Sequence, residues 1–278
     1  MKRLVLTLLI VFSSQIGLAA SGDLEKVFQQ AKKNAVSNLK TRALKQLSFL
    51  KSRNYKPAEV HMLMARIYFE SNQLEKAIEN YNKIPKSSDL WLESLEEKAW
   101  AYLRRGQFNK SMEQTLTLLS PVFDQYVNAE VYYLAAVNRY FVCDYNGVFA
   151  TIQQFKNRYK DRITALERLS STGVNEDFNN LINTAKLRQI NFSSAGPFAI
   201  GLPQYHYRDK ELKNLYTALN DHGDNPVNSA KLTKLIQKRI QELAEDELKK
   251  IKKNIDQLFV VEAEIIQRVY EKSKTQSS

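Results

Sequence analysis

Past its first twenty residues the chain has no apolar run long enough to span a bilayer, and it is poor in cysteine and in chain breakers. One thiol, Cys143, leaves no internal disulfide to form, so stability must come from packing; Cys143 itself is expected to be a small buried residue at a helix end. Only 8 Gly and 6 Pro occur in 278 residues, against abundant Leu, Ala, Lys, Glu and Gln, which excludes a turn-rich all-β chain and predicts an all-α fold. Catalytic signatures are absent as well: there is no GxSxG, no Gly-rich phosphate loop, no HExxH and no CxxC, and His61, His206 and His222 are far apart. Adjacent carboxylates such as Glu96 and Glu97, or Asp246 and Glu247, point about 100° apart on a helix and mark no acid–base pair. An enzyme is therefore not expected, and neither a cofactor nor a metal site is.

Acidic residues are missing from one long stretch. Between Glu25 and Glu59 there is none, whereas Lys26, Lys32, Lys33, Lys40, Arg42, Lys45, Lys51, Arg53 and Lys56 fall there. Such a patch attracts anionic surfaces. The N-terminus supplies the compartment: Lys2 and Arg3, an apolar run from Leu4 to Phe12, and small residues at Gly17, Ala19 and Ala20 form an export leader, with cleavage expected near Ala19 or Ala20. Removing the leader leaves 39 basic and 30 acidic residues, a net charge of +9. For a periplasmic protein the anionic partners in question are lipid head groups, cell-wall polymers or acidic proteins, and no nucleic acid is expected.

What the chain does have is a period. ARIYFESNQLEKA at residues 65–77 recurs as AWAYLRRGQFNKS from residue 99, so that Ala65, Tyr68, Leu74 and Ala77 correspond to Ala99, Tyr102, Phe108 and Ser111, each 34 residues on. An antiparallel helix pair imposes this pattern: small residues sit where two backbones approach, and large ones fill the gaps between neighbouring pairs. Glu70 to Asn72 is the predicted turn, and Gly106 takes the turn position in the second copy.

In these residues the chain resembles the tetratricopeptide repeat family, whose 34-residue helix-turn-helix unit has small residues at its eighth and twentieth positions and an aromatic at the eleventh. On that frame a repeat solenoid occupies 21–160, with clear units at 58–91 and 92–128 and diverged ones at 24–57 and 129–162; the leader is 1–20 and a C-terminal helical region covers 163–278. The fourth unit departs from the pattern at Arg139 and Val148. The resemblance implies a concave groove lined by the first helix of each unit. The inward positions would be Glu59, Met62, Arg66, Phe69 and Glu70, then Glu93, Glu96, Trp100, Leu103 and Arg104, then Glu130, Tyr133, Val137, Tyr140 and Phe141. Of these, Met62, Arg66, Phe69, Glu96, Trp100, Leu103, Arg104, Tyr133, Val137 and Tyr140 form the expected binding site for a protein or peptide, with Trp100 as the leading anchor and Glu residues at the mouth.

Two functions compete. One is an exported periplasmic scaffold holding a protein partner in the groove, within an envelope assembly, secretion or motility complex. The other is a structural envelope component in which Lys32, Lys33, Lys40, Arg42 and Lys45 bind anionic lipid or cell-wall polymer. Beyond Lys160 the period fades. The segment SSAGPFAIGLPQYHYRD should lie against the core as a packed loop. From Pro226 one long helix is predicted, whose seam of Leu248, Ile251, Ile255, Leu258, Ile265 and Val269 must meet either the rest of the chain or another chain as a coiled coil; its first part is expected to pack within the chain, with QLFVVEAEIIQRVY left for a partner.

Overall fold

A computed structural model describes residues 22–123, 126–187, 201–204, 206–222 and 225–276, so the expected export leader and the stretch 188–200 with Pro197, Phe198 and Ile200 lie outside the described residues. The described residues are all-α, without a strand. The chain divides into two compact units, Met1–Gln107 and Phe108–Ser278.

The first unit comprises α1 (22–36), α2 (Lys40–Ser52), α3 (Pro57–Glu70), α4 (Leu74–Tyr81) and α5 (Trp91–Arg104). Helix α3 is buried on two sides. Val60, Met64 and Ile67 join Phe28 and Ala31 of α1 and Ala43, Leu47 and Leu50 of α2 in one apolar cluster. Met62 and Ala65 join Ala77 and Tyr81 of α4, with Ile84, in another.

The second unit comprises α6 (Phe108–Leu118), α7 (Glu130–Phe141), α8 (Tyr145–Thr172), α9 (Glu176–Leu187), α10 (Lys210–His222) and α11 (Pro226–Gln276). Consecutive helices α6, α7 and α8 pack on each other, and α11 lies along α8 and α7 with α10 against it.

The sequence period reappears in backbone conformation. Asn38, Asn72, Gly106 and Cys143 all have left-handed φ, between 56° and 70°, at successive intervals of 34, 34 and 37 residues. After each of them the next N–H, of Leu39, Gln73, Gln107 and Asp144, donates to the carbonyl five residues back at 2.8–2.9 Å. These are Schellman turns, in which the left-handed residue lets the chain reverse while satisfying the last carbonyls of the helix. The eighth and twentieth positions obey the same period. Ala31 and Ala43, Ala65 and Ala77, Ala99 and Ser111, and Ala136 and Val148 are all at 0% exposure.

Departures from the repeat pattern have local causes. Arg139, where an aromatic is usual, pairs with Asp144, whose carboxylate accepts the Gly147 N–H at 3.0 Å and caps α8. Cys143 is exposed rather than buried, because it is itself the turn residue. The period fades near Lys160 because α8 runs unbroken for 28 residues to Thr172, where Gly173 at φ 72° ends it. Residues 160–163 thus lie inside a helix, and the division into units falls at Gln107 instead.

Helix α11 opens at Pro226 with the Asn225 side chain accepting the N–H groups of Val227 and Asn228. Its buried seam is a heptad: Ala244, Ile251, Leu258 and Ile265 repeat every seven residues, alternating with Ile240, Glu247, Asn254 and Val261. Ile255 and Val269, expected in the seam, flank it at 40% and 53% exposure. The two polar seam positions are satisfied. Asn254 donates to the Lys250 carbonyl at 2.9 Å, and Glu247 accepts from Arg162 of α8 at 2.6 Å, both partners of this pair being nearly fully buried.

Arg162 also donates to the Leu202 carbonyl at 3.0 Å, and the Gln204 N–H donates to the other oxygen of Glu247. The 201–209 loop is thereby pinned to α8 and α11, with Leu202 fully buried and His206 buried beside it, its Nδ1 3.0 Å from the Pro203 carbonyl. Its described residues pack into the core, as expected; Tyr205 and the side chain of Tyr207 lie outside the described residues.

Two outcomes test this architecture. At Gly106 an added Cβ would meet nothing within 4 Å, so Gly106→Ala should cost roughly 1 kcal/mol through backbone strain alone, and Cys143→Gly should gain up to about 1 kcal/mol, both read by thermal denaturation. Burial, reinforced by the Arg162 charge, lowers the His206 pKa to about 4 from the ordinary 6.5. The unfolded chain then binds the extra proton between those values, so stability should rise with pH from about 4 to 6.5, by at most roughly 1.4 kcal/mol per pH unit. Urea titrations across that window should show the slope in the wild type and a flatter one in His206→Gln.

Candidate functional site

The candidate surface is built on two helices of the first unit, α3 and α5. Arg66, at the middle of α3, donates to both oxygens of Glu97 at 2.9 and 3.1 Å through Nε, and through Nη2 to Glu97 at 2.6 Å and Glu93 at 2.7 Å. The Tyr81 hydroxyl donates to Glu97 at 2.8 Å, so α3, α4 and α5 share one polar junction. Burial opposes the Arg66 charge, but bonding to Glu97 and the Glu97 and Glu93 charges outweigh it and raise its pKa. Burial, then the charge of Glu97, raises that of Tyr81. The four hydrogen bonds from Arg66 tie α3 to α5, an arrangement that suits positioning.

One turn further along, the Arg104 guanidinium lies over the Phe69 ring, 4.7 Å from its centroid, and donates to the Asn72 side chain at 3.0 Å. Phe69, Trp100 and Leu103 are partly exposed, and Arg104 is exposed. Phe69 packs on the α3–α4 cluster beneath Arg104, and Trp100 and Leu103 share the Arg104 side of α5 by helical spacing; these four residues make up the candidate shelf.

Several expected positions fall elsewhere. Met62 is a core residue, because α3 turns this face toward α4. Glu96 is buried, so it does not stand at a groove mouth; Glu93 and Glu97 are already occupied by Arg66. In the second unit Tyr133 and Tyr140 pack against the core made with α8 to α11. The Tyr140 hydroxyl donates to Glu264 at 3.1 Å, and Arg268 covers its ring at 4.5 Å. Helix α11 thus contacts the C-terminal end of α7, and Tyr133, Val137 and Tyr140 keep partial exposure.

Within QLFVVEAEIIQRVY, the stretch of α11 expected to be left for a partner, Phe259, Ile266 and Tyr270 are exposed at helical spacings. Other features were not foreseen from the sequence. Beside Phe259 an apolar groove of about 340 Å³ runs between α8 and α11, floored by Phe155, Tyr159 and Leu258, with Lys156 and Lys160 on its wall. His61 is buried against Asn80 at 2.9 Å, and its pKa is lowered by burial. Among the described residues no group of three or more His, Cys, Asp or Glu is placed to hold a metal ion, and no helix is long and apolar enough to cross a membrane.

No family model matches the chain, and no curated protein matches it.

Proposed function

We propose that this is an exported, periplasmic tetratricopeptide-like scaffold that holds an apolar segment of a protein partner on the α3–α5 face, within an envelope assembly, secretion or motility complex. The observation that carries the proposal is the shelf of Phe69, Arg104, Trp100 and Leu103, with Arg104 set over the Phe69 ring. Aromatic and Arg side chains of this kind, held rigid before a partner arrives, are the groups from which binding hot spots are made. The four left-handed turns and the buried small positions support the repeat family. Because Glu93 and Glu97 are neutralised by Arg66 and Glu96 is buried, selection of the partner would depend on its apolar residues rather than on basic ones.

Capture from periplasmic extract tests the proposal. With the intact chain as bait, a defined partner should be retained even at about 1 M salt, where the screening length is roughly 3 Å. Trp100→Ala combined with Leu103→Ala should reduce capture by about tenfold or more, the loss of two anchors. Equal capture by a variant that keeps its melting temperature would contradict the proposed face.

A further inference from the structure

The tip of the α1–α2 hairpin carries apolar residues that the fold does not use. Val36, the last residue of α1, is 90% exposed and Leu39 at the start of α2 is 48% exposed; Phe49, nearly three turns further along α2, is 45% exposed, with the Arg53 guanidinium 5.6 Å from its ring centroid. The molecule supplies its own controls, since the same turn is built four times. Where Val36 stands, the later turns have Glu70, Arg104 and Phe141; where Leu39 stands, they have Gln73, Gln107 and Asp144; where Phe49 stands, they have Lys83, Thr117 and Gln154. Phe141 alone is apolar, and it is stacked on Phe108 at 4.7 Å. The turn therefore forms equally well with polar residues at these positions. In a Schellman turn the residue at the place of Leu39 commonly packs on the one five before it, but here that residue is Asn34, whose amide is bound to Gln46.

Cations surround this apolar tip. Lys32 and Lys33 lie one turn before Val36, and Arg42 and Lys45 follow Leu39; Arg42, Lys45, Phe49 and Arg53 share one face of α2 by helical spacing. The nearby acids are already engaged: Asp23 by Lys26 at 3.2 Å, Glu25 by Lys56 at 2.6 Å and Glu70 by Lys40 at 3.3 Å. Lys40 is thereby withdrawn from the surface set. Among the described residues Lys33, Arg42, Lys45 and Lys51 form no ion pair, and all four are exposed.

The geometry points to a docking surface for an anionic phospholipid bilayer, in which Val36 and Leu39 enter the interface while Lys32, Lys33, Arg42, Lys45 and Arg53 meet the head groups. A soluble anionic polymer would use the cations but has no apolar phase to receive Val36 and Leu39. A bilayer interface matches both, since apolar burial and attraction to anionic lipid add there. The surface lies on α1 and α2 and is independent of the α3–α5 face proposed for the protein partner.

Vesicle co-sedimentation of the processed chain separates the alternatives. Binding to mixed phosphatidylglycerol and phosphatidylcholine vesicles is expected, with little to phosphatidylcholine alone, and it should weaken as salt is raised. Val36→Ser with Leu39→Ser removes two exposed side chains, so the fold should keep its melting temperature while partition falls roughly tenfold or more. Lys33→Gln with Arg42→Gln and Lys45→Gln should lower partition by roughly fivefold per cation. Undiminished vesicle binding by the Val36/Leu39 variant would overturn the insertion. So would polyglutamate bound as tightly as vesicles with the same indifference, which would assign the cations to a polymer. Absence of binding to phosphatidylglycerol vesicles would remove the surface altogether.

Discussion

Close approach of helix backbones at small side chains is the constraint from which the rest of this structure follows. An Ala at each contact lets two helices pack without a gap or a clash, and fully buried alanines at Ala31, Ala43, Ala65 and Ala77 hold that spacing in the first unit. The reversal between helices must then be short. A left-handed residue followed by a back-donated N–H achieves it in five residues, at Asn38 and Asn72 in the first unit and at Cys143 in the second. With backbone spacing and turn both fixed, the outward positions of each hairpin are free to vary. Both surfaces considered for function, the α3–α5 shelf and the α1–α2 tip, occupy such free positions.

The second unit spends its outward positions differently. Helix α8 outgrows its hairpin and gives α11 a long face to pack on, in a heptad seam whose two polar members are each satisfied. The Arg162–Glu247 pair sets the register of α11 and fastens the 201–209 loop, so one buried ion pair coordinates three segments. Removing one partner of such a pair leaves a buried charge uncompensated, a loss of about 3–5 kcal/mol. The same docking places Glu264 and Arg268 on Tyr140, which leaves that ring only partly exposed.

The all-α class, the hairpin boundaries and the small contact positions were legible in the sequence because they depend on neighbours within one repeat. Ala65, Ala77 and Gly106 declare their environment by size and conformational freedom alone. What depends on distant partners was not legible. Nothing in the sequence of α5 says that Glu97 receives Arg66 from 31 residues away, or that Glu96, its neighbour, turns inward. Tyr140 and Trp100 read alike as inward aromatics, and only the docking of α11, more than a hundred residues later, separates them. The seam of α11 was misplaced for a related reason: Ile255 and Val269 fit a three-four spacing, but burial by α8 follows a strict period of seven. Cys143 was misjudged because a thiol is usually buried, whereas the turn here requires φ near 60° and leaves the side chain outside.

The central claim is that backbone contact at small residues holds the hairpins together, and overfilling one such contact tests it most directly. Ala77→Leu should lower the unfolding free energy by about 1–3 kcal/mol because the added atoms have no space between α3 and α4. Glu79→Ala, two residues on and exposed, should change it by less than about 0.5 kcal/mol. If Ala77→Leu proves as stable as the wild type in urea titration, the helices are not in close contact there, and the repeat architecture is contradicted together with the surfaces placed on it.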